Sequence, residues 1–335
     1  MELSILYGCD NKYAPYTGIS MLSLLENNKN MDEITIYLAA MKISSENLVK
    51  LNEIVNRYNR KLVVLNTEKA FNEIKRFKCN GWNGSLATWL RFFVLEQIPK
   101  DVDKLLWLDS DTIIADKLDE LTSLDLGEHP IACVCDSICY FERFRLGIKE
   151  NEPYYNAGVI FFNLSLWRKN QILYRMMEFL PKHIKYYKAN DQDLLNDFFR
   201  GRILRLSLKY NVQGFQMAYP VSVYFKIYPW DSSAYYGREE VQIALKQPCV
   251  IHFFRFLGDY PWENARNNYH PSRNLFIFWK NKSPWKEYNE KRKKERFTFY
   301  IEKVLYKVLP KRLFLSIFAF ISNIGVPKKP YNRYH

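Results

Sequence analysis

The sequence lacks the familiar nucleotide-binding motifs and the paired cysteines of many metal and redox sites. Neither Gly-x-Gly-x-x-Gly nor Gly-x-x-x-x-Gly-Lys-Ser/Thr occurs, so we expect neither the dinucleotide-binding Rossmann fingerprint nor a P-loop. No Cys-x-x-Cys pair occurs among the six cysteines, most of which lie in apolar runs. They are therefore predicted to be reduced and to act as small hydrophobic residues, which favours a cytosolic compartment.

The N-terminus lacks the features of a signal peptide. Residues 1–7 have no basic start and no long apolar region. We expect this segment to form a first β-strand instead, which agrees with a cytoplasmic location.

The body of the chain has little net charge, and the excess of basic residues is concentrated at the C-terminal end. The 335 residues include 49 Lys and Arg against 36 Asp and Glu, a net charge of +13. Residues 281–335 hold 14 basic and 4 acidic residues, or +10, which leaves +3 for the first 280. A nearly neutral body argues against nucleic acid as a partner.

The C-terminal residues 286–335 have the pattern of a basic amphipathic tail. In residues 297–309, helical spacing places five apolar side chains on one face and Glu302, Lys303 and Lys307 on the other. The five are Phe297, Ile301, Val304, Leu305 and Val308. A second apolar run, residues 313–324, is flanked by basic residues and is shorter than the roughly 20 residues that span a bilayer. We predict that the tail lies on an anionic membrane, at the inner face of the cell membrane; packing on the body or on a second subunit is the alternative.

The N-terminal half has the pattern of a parallel α/β sheet. Apolar strands are predicted over residues 3–9, 34–39 and 61–65, with helices over 16–25 and 44–58 between them. In such sheets ligands bind beyond the carboxyl ends of the strands. Asp10 follows the first strand, so we expect it at that edge.

Two carboxylates, Asp109 and Asp111, follow the apolar run 105–108 and precede Ile113 and Ile114. We predict a buried strand here. Because side chains alternate along an extended backbone, both carboxylates would point the same way, where a divalent cation would offset their repulsion. The sequence therefore suggests a metal site; two aspartates that cap a turn are the alternative.

Four further positions are candidates on chemical grounds. Arg91 lies among aromatic residues in a helix predicted over 85–96, where it meets an anion or extends to solvent. The small residues of Asn156-Ala-Gly158 would let the backbone approach a ligand closely. Asp191, or its neighbour Asn190, is a candidate helix cap. His252 lies at the end of a predicted strand; it is either a metal ligand or a structural residue.

Six blocks, in order, resemble the retaining glycosyltransferases of family 8 over about residues 3–285. They are Tyr7-Gly-Cys-Asp-Asn-Lys-Tyr13, Ala87-Thr-Trp-Leu-Arg91, Leu106-Trp-Leu-Asp-Ser-Asp111, Tyr155-Asn-Ala-Gly158 with Asn163, Asp191-Gln-Asp-Leu-Leu-Asn196, and His252 followed by Gly258 and Pro261-Trp262. The resemblance implies an α/β GT-A fold, Rossmann-like with a mostly parallel sheet flanked by helices. It also implies a UDP-sugar donor and a manganese ion, with magnesium as the alternative ion.

The resemblance further implies roles for individual residues. The implied metal ligands are Asp109, Asp111 and His252. The implied donor-binding residues are Gly8, Asp10, Tyr13, Arg91, Asp109, Ser110 and Asn156. Gln192 matches the residue beneath the anomeric carbon, with Asp191 and Asp193 beside it as catalytic candidates, and Asp136 matches an acceptor-side aspartate.

The sequence departs from the family pattern in two places. Lys12 stands where the family has a small amide, and Tyr260 stands where a basic residue precedes Pro-Trp. We expect Arg255, and the backbone at Gly258, to serve the donor diphosphate instead.

The resemblance implies a retaining, manganese-dependent hexosyltransferase. It would move galactose or glucose from UDP to a glycan acceptor, such as a surface polysaccharide or a lipid-linked saccharide. Residues 1–115 are then expected to be the nucleotide-sugar-binding half, and 116–285 the acceptor and catalytic half, of one domain. The alternatives are a catalytically silent UDP-sugar-binding or scaffold protein at the membrane and a protein glucosyltransferase.

Overall fold

The computed structural model describes residues 1–81, 85–137, 142–265, 267–289 and 296–322. Within them lie the strands β1 (Glu2–Asp10), β2 (Glu33–Met41), β3 (Lys61–Leu65), β4 (Lys104–Leu108), β5 (Thr112–Ile114), β6 (Ile131–Cys135), β7 (Tyr155–Asn163), β8 (Ile203–Arg205), β9 (Val212–Gln213) and β10 (Val250–His252). The helices there are α1 (Ala14–Asn27), α2 (Ser45–Arg57), α3 (Glu68–Arg76), α4 (Leu90–Phe93), α5 (Asp119–Thr122), α6 (Glu142–Arg145), α7 (Leu164–Lys169), α8 (Ile172–His183), α9 (Asn190–Phe198), α10 (Gly214–Ala218), α11 (Val221–Ile227), α12 (Arg238–Lys246), α13 (Arg273–Lys282), α14 (Phe297–Val308) and α15 (Lys311–Ser322).

Two sheets organise the described residues. The larger has seven strands in the order β3-β2-β1-β4-β7-β6-β8, and the smaller has three in the order β5-β10-β9. In the larger sheet β7 runs antiparallel to both β4 and β6, and the other neighbouring strands are parallel. This confirms the prediction of a mostly parallel sheet, built from β-α-β units over the first 65 residues.

The buried strand predicted around the two aspartates is divided between the sheets. Residues 104–108 form β4 in the larger sheet, and 112–114 form β5 in the smaller one. The prediction of one strand was wrong: residues 105–108 and 113–114 are both buried apolar runs, and nothing in their pattern marks the crossing from one sheet to the other. Asp109 and Asp111 lie in the short connection between the sheets.

Two predicted helices are interrupted. The helix expected over 85–96 is a 3₁₀ turn (Ala87–Trp89), α4 and a second 3₁₀ turn (Leu95–Gln97). The Nε of Arg91 donates to the carbonyl of Thr88 at 2.7 Å, and a continuous helix would use that carbonyl for a backbone N–H. The apolar spacing of residues 164–180 also predicts one helix, which the structure divides into α7 and α8 at Gln171, whose φ is 50°.

The five cysteines in the described residues are free and buried, as predicted, and Cys139 lies outside those residues. In the tail, α14 and α15 match the predicted helical pattern. No helix in the described part of the chain is both long enough and apolar enough to span a membrane. The basic residues at 291–294, with Lys328 and Lys329, lie outside what the structure describes.

Candidate active site

A cavity of about 240 Å³ opens at the carboxyl ends of β1 and β4. Twelve of the fifteen predicted site residues line it. They are Gly8, Asp10, Tyr13, Arg91, Asp109, Ser110, Asp111, Asp136, Asn156, Asp191, Gln192 and His252. Asp193, Arg255 and Gly258 do not line the cavity. The fold therefore gathers residues from most of the chain at the edge where a parallel sheet binds ligands.

Asp109, Asp111 and His252 form a candidate metal centre. One ligand atom from each residue lies within 4.8 Å of the others. The Nε2 of His252 is 3.3 Å from Oδ1 of Asp111 and 3.8 Å from Oδ2 of Asp109. Two carboxylate oxygens and one imidazole nitrogen, turned toward a common point, are a donor set that a divalent cation accepts.

The pairing of the smaller sheet places His252 at this centre. His252 is opposite Thr112 in the antiparallel pair of β10 and β5, and Thr112 directly follows Asp111. The backbone N–H of Phe253 donates to the carbonyl of Asp111 at 2.9 Å. On the other side of the ring, Nδ1 is 3.2 Å from Oδ1 of Asn211, which orients the imidazole. No motif in the sequence indicates this role for Asn211.

Gly158 is needed where the backbone of β7 passes the imidazole. A Cβ at this position would overlap the ring of His252 and come within 2.9 Å of Oδ1 of Asn156. The backbone N–H of Gly158 donates to that same oxygen at 2.8 Å. The close approach predicted for the small residues 156–158 is therefore an approach to His252, the histidine of the candidate metal centre.

Arg91 ties two carboxylates together under the cavity. Its guanidinium is 3.0 Å from Oδ1 of Asp109 and 3.1 Å from Oδ2 of Asp191, and it also donates to the carbonyl of Ala157. The indole of Trp107 donates to the same Oδ1 of Asp109 at 2.8 Å. Oδ1 of Asp109 is thus occupied by two donors, which turns Oδ2 toward His252. The solvent-exposed alternative for Arg91 is wrong, because the side chain is buried.

Gln192 is fixed by a network of amides. Its Oε1 accepts from the backbone N–H of Ala157 and from Nδ2 of Asn156, both at 3.0 Å. Its Nε2 lies 3.2 Å from Oδ2 of Asp136, which also accepts from Nδ2 of Asn156 at 2.8 Å. Nδ2 of Asn211 donates to Oδ1 of Asn156 at 2.7 Å. The network therefore connects to the metal centre through Asn211 and His252.

Asp193 lies outside the cavity and organises the start of α9. Its carboxylate accepts from the backbone N–H groups of Lys188 and Ala189, from Tyr154 and from Arg145, at 2.7 to 2.9 Å. The predicted capping role of Asp191 or Asn190 is wrong: the N-cap is Ala189, without a side-chain bond. Asp191 pairs with Arg91 instead, and Asp193, two residues further along, accepts from the two backbone N–H groups that directly precede the helix.

Arg255 and Gly258 lie in the loop after β10. Arg255 donates to the carbonyl of Gly258 at 2.6 Å and packs over the ring of Tyr260, 4.3 Å from its centroid. Tyr260 itself lines the cavity and stacks on Trp262 at 4.5 Å. Tyr260, which stands where the family has a basic residue, therefore forms part of the cavity wall. Arg255 packs against its ring and does not line the cavity.

The end of β1 forms the other wall. Oδ1 of Asp10 accepts from the backbone N–H groups of Lys12 and Tyr13, both at 3.0 Å, and so shapes the turn into α1. A Cβ on Gly8 would be 2.5 Å from the ring of Trp107, so glycine is needed for the indole to lie across this strand.

Burial and charge shift the pKa values of two metal-centre groups. Burial raises the pKa of Asp109 above its usual value, although Arg91 and His252 act in the opposite direction. Burial lowers the pKa of His252, but the carboxylates of Asp111 and Asp109 outweigh it, so the pKa of the imidazole is raised. A metal at this centre would therefore replace a proton on His252.

Comparison with known proteins supports what the geometry indicates. The family described as glycosyl transferase family 8 matches residues 4–265. The chain belongs to glycosyl transferase family 8. This confirms the resemblance drawn from the sequence blocks.

Individual relatives in family 8 are distant. A putative glycosyltransferase of Haemophilus influenzae is 27% identical over 213 residues, 62% of this chain and 63% of that protein. The lipopolysaccharide 1,2-glucosyltransferase of Escherichia coli is 27% identical over 216 residues, 62% of each chain. The matches thus span about three fifths of these relatives' lengths.

A solved structure establishes the fold. The crystal structure of the galactosyltransferase LgtC in complex with donor and acceptor sugar analogs superposes with a TM-score of 0.66 at 22% identity. It covers 85% of this chain and 96% of LgtC. The family 8 chain therefore has the expected GT-A fold.

Proposed function

We propose that this protein is a retaining hexosyltransferase that moves galactose or glucose from a UDP-sugar to a glycan acceptor. One observation carries the proposal: in a family 8 chain, Asp109, Asp111 and His252 converge beside the fixed amide of Gln192 in a single cavity. The names of the relatives, a lipopolysaccharide glucosyltransferase and a galactosyltransferase, support a hexose and a glycan acceptor. We infer a surface polysaccharide or a lipid-linked saccharide as that acceptor.

The metal ligands favour manganese, with magnesium as the alternative. A mixed set of carboxylate oxygens and an imidazole nitrogen suits a transition ion better than an ion that prefers oxygen alone. When bound, such an ion supplies Lewis-acid stabilisation to the diphosphate leaving group. The chain's own contribution is to hold Oδ2 of Asp109 and Nε2 of His252 in place through Arg91, Trp107 and Asn211.

Gln192 sets the stereochemistry in this proposal. Retention needs either a nucleophile that forms a covalent glycosyl intermediate or attack by the acceptor on the face that UDP leaves. An amide is a poor nucleophile, and Gln192 is held by Asn156, Ala157 and Asp136. We therefore favour same-face attack, in which Gln192 stabilises positive charge at the anomeric carbon and the departing phosphate accepts the acceptor's proton. Asp136 would orient the acceptor.

Release of UDP from a panel of UDP-sugars tests the proposal. Wild-type protein with Mn²⁺ should turn over UDP-galactose or UDP-glucose, and EDTA should abolish turnover. Asp111→Asn should be inactive, whereas Asp101→Asn, at an exposed aspartate, should match wild type. UDP-sugar binding without turnover on any glycan acceptor would favour a silent binding or scaffold protein. Turnover that needs a protein acceptor would favour a protein glucosyltransferase.

We also propose that the tail binds an anionic membrane, which would place the enzyme at the inner face of the cell membrane. The outer faces of α14 and α15 carry exposed large apolar side chains among basic residues. They include Phe297, Tyr300, Ile301, Val304, Val308, Leu313, Phe320 and Ile321, of which Phe297 is 74% and Val308 72% exposed. Apolar side chains with Lys307, Lys311 and Arg312 nearby suit the interface of an acidic bilayer.

Vesicle sedimentation tests the membrane proposal. Val308→Asp combined with Phe297→Asp should abolish binding to vesicles of acidic phospholipid and leave UDP release unchanged. Val49→Asp, at another exposed valine on α2, is the matched control and should bind like wild type. If the doubly substituted protein still sediments with acidic vesicles, the membrane proposal is wrong.

A further inference from the structure

The loop after β10 forms one wall of the cavity and turns back on itself. Phe254 and Tyr260 line the cavity. Between them, the backbone of Phe256 and that of Asp259 exchange two hydrogen bonds, at 2.8 and 3.0 Å. Leu257 and Gly258, at the tip, both have positive φ, 48° and 83°. The position of Asp259 therefore sets where the next residue, Tyr260, meets the cavity.

Helix α14 of the tail holds this turn from outside. The Nζ of Lys303 is 2.6 Å from Oδ2 of Asp259, and the two side chains are only 7% and 9% exposed. The ring of Phe299 lies against Gly258, where a Cβ would overlap it. One helical turn beyond Lys303, the ring of Tyr306 packs edge-on against Phe256, with centroids 5.8 Å apart. The same helix therefore contacts Phe256, Gly258 and Asp259.

The polarity of α14 is inverted relative to a helix that packs on a core. Its inner face buries Lys303, whereas Phe297, Ile301 and Val304 on the outer face are exposed. A buried ammonium is costly unless it is paired, and removing one partner of a buried pair leaves the other charge uncompensated. The ion pair with Asp259 therefore gives this contact its specificity.

We propose that Lys303 is a positioning residue of the donor site, acting through Asp259 on Tyr260. The inference rests on the proposed function, since it takes the cavity as the UDP-sugar site. Tyr260 packs against both Arg255 and Trp262, and Trp262 stacks on Tyr16 at 4.4 Å. Lys303 holds Asp259, the residue directly before Tyr260. Without the charge of Lys303, Asp259 is released and Tyr260 can move away from the donor.

Substitution of Lys303 with a matched control tests the proposal. In full-length protein, Lys303→Met should raise KM for the UDP-sugar and Kd for UDP in Mn²⁺ by about tenfold, with a smaller change in kcat, because a misplaced binding group weakens ligand contacts. Lys307→Met removes the same charge from an exposed position on the same helix and should match wild type. Lys303→Arg, which keeps the charge, should restore most of the affinity.

A second variant keeps the test decisive if Lys303→Met folds poorly. Asp259→Asn is nearly isosteric and should show the same rise in KM and in Kd for UDP. Equal UDP affinity in Lys303→Met, Asp259→Asn and Lys307→Met would overturn the proposal. So would a fall in kcat with KM and Kd unchanged.

The binding measurement separates this inference from the proposed function. If wild-type protein binds UDP in Mn²⁺ but transfers no sugar, the proposed activity is wrong, and the comparison of Kd values still decides the role of Lys303. If wild-type protein does not bind UDP, both are overturned. If transfer proceeds normally and the Lys303 variants bind UDP like wild type, the positioning role alone is overturned.

Discussion

His252 faces Asp111 because the strand that ends at His252 is paired with the strand that follows Asp111. The pairing puts His252 opposite Thr112, and it brings Nε2 of the imidazole to 3.3 Å from Oδ1 of the carboxylate. Asp109, one residue beyond β4, remains tied to the larger sheet through its N–H, which donates to the carbonyl of Gly158 at 2.8 Å. The candidate metal centre therefore joins the two sheets, and changes to either sheet should be seen in metal affinity.

Substitution of Gly158 by alanine should damage the metal centre through its histidine. The added Cβ would overlap the His252 ring, so the ring must shift away from Asp111. Overpacking of a buried site lowers the free energy of unfolding by about 1 to 3 kcal/mol. We also expect Mn²⁺ affinity to fall by at least about tenfold. Calorimetric titration with Mn²⁺ measures this. Gly237→Ala, far from the metal centre and with its Cβ 3.4 Å from the nearest atom, should leave Mn²⁺ affinity unchanged. Unchanged Mn²⁺ affinity in Gly158→Ala would show that His252 is not a ligand.

Substitution of Arg91 by lysine should impair both stability and catalysis. A lysine keeps the charge but cannot reach Asp109 and Asp191 together, because its ammonium is a point charge and the guanidinium is a planar fork. Removing one partner of a buried ion pair lowers the free energy of unfolding by up to about 3 to 5 kcal/mol. We expect a lower thermal midpoint and a reduced kcat/KM for UDP-sugar. Arg57→Lys, at an exposed pair with Glu53, is the control. Wild-type kcat/KM in Arg91→Lys would contradict the bridging role.

The N-terminal β-α-β units could be predicted because their apolar residues follow the periods of strands and helices. The division of the run around Asp109 and Asp111 could not, because residues 105–108 and 113–114 are both buried apolar runs without a sign of the crossing between sheets. The different roles of the two aspartates in the motif 191–196 could not be predicted either. Asp191 pairs with Arg91, whereas Asp193 accepts from the backbone N–H groups of residues 188 and 189. Asn211 reaches the site only through tertiary pairing, so local sequence carries no sign of its contact with His252.

Mn²⁺ affinity should rise with pH because His252 must release a proton to bind metal. Its pKa is raised by Asp111 and Asp109 despite burial. The proton therefore competes with the metal ion for the imidazole up to a higher pH than it would at a free imidazole. Below that pKa, affinity should fall by about tenfold per pH unit. Titration between about pH 6 and about pH 8 measures the slope. A flat profile would contradict imidazole ligation.

Stability in EDTA should show the opposite trend. A group whose pKa is higher in the folded state stabilises the fold fully below its unfolded pKa and loses that contribution as pH rises through the folded value. The contribution of His252 to stability without metal is therefore lost toward higher pH. Unfolding midpoints in EDTA across the same pH range, compared with those of His252→Gln, isolate this contribution. An identical pH profile in both proteins would contradict the raised pKa.

Substitution of Asn211 by alanine should weaken metal binding without removing a ligand. Asn211 contacts Nδ1 of His252 and also Oδ1 of Asn156, so it orients the imidazole and joins the metal centre to the Gln192 network. Outer-shell partners of this kind affect metal affinity by about 10- to 100-fold. Asn52→Ala, at an exposed asparagine of α2, is the control. Equal Mn²⁺ affinity in the two variants would show that the orientation of His252 does not depend on Asn211.

The most direct test of the central claim is a crystal structure of the protein with UDP and Mn²⁺, with anomalous data collected at the manganese edge. We predict one anomalous peak in the cavity, bonded to carboxylate oxygens of Asp109 and Asp111 and to Nε2 of His252, with the diphosphate of UDP against it. The account would be contradicted by a map with no peak at that position, in which Asp111 and His252 point to different places.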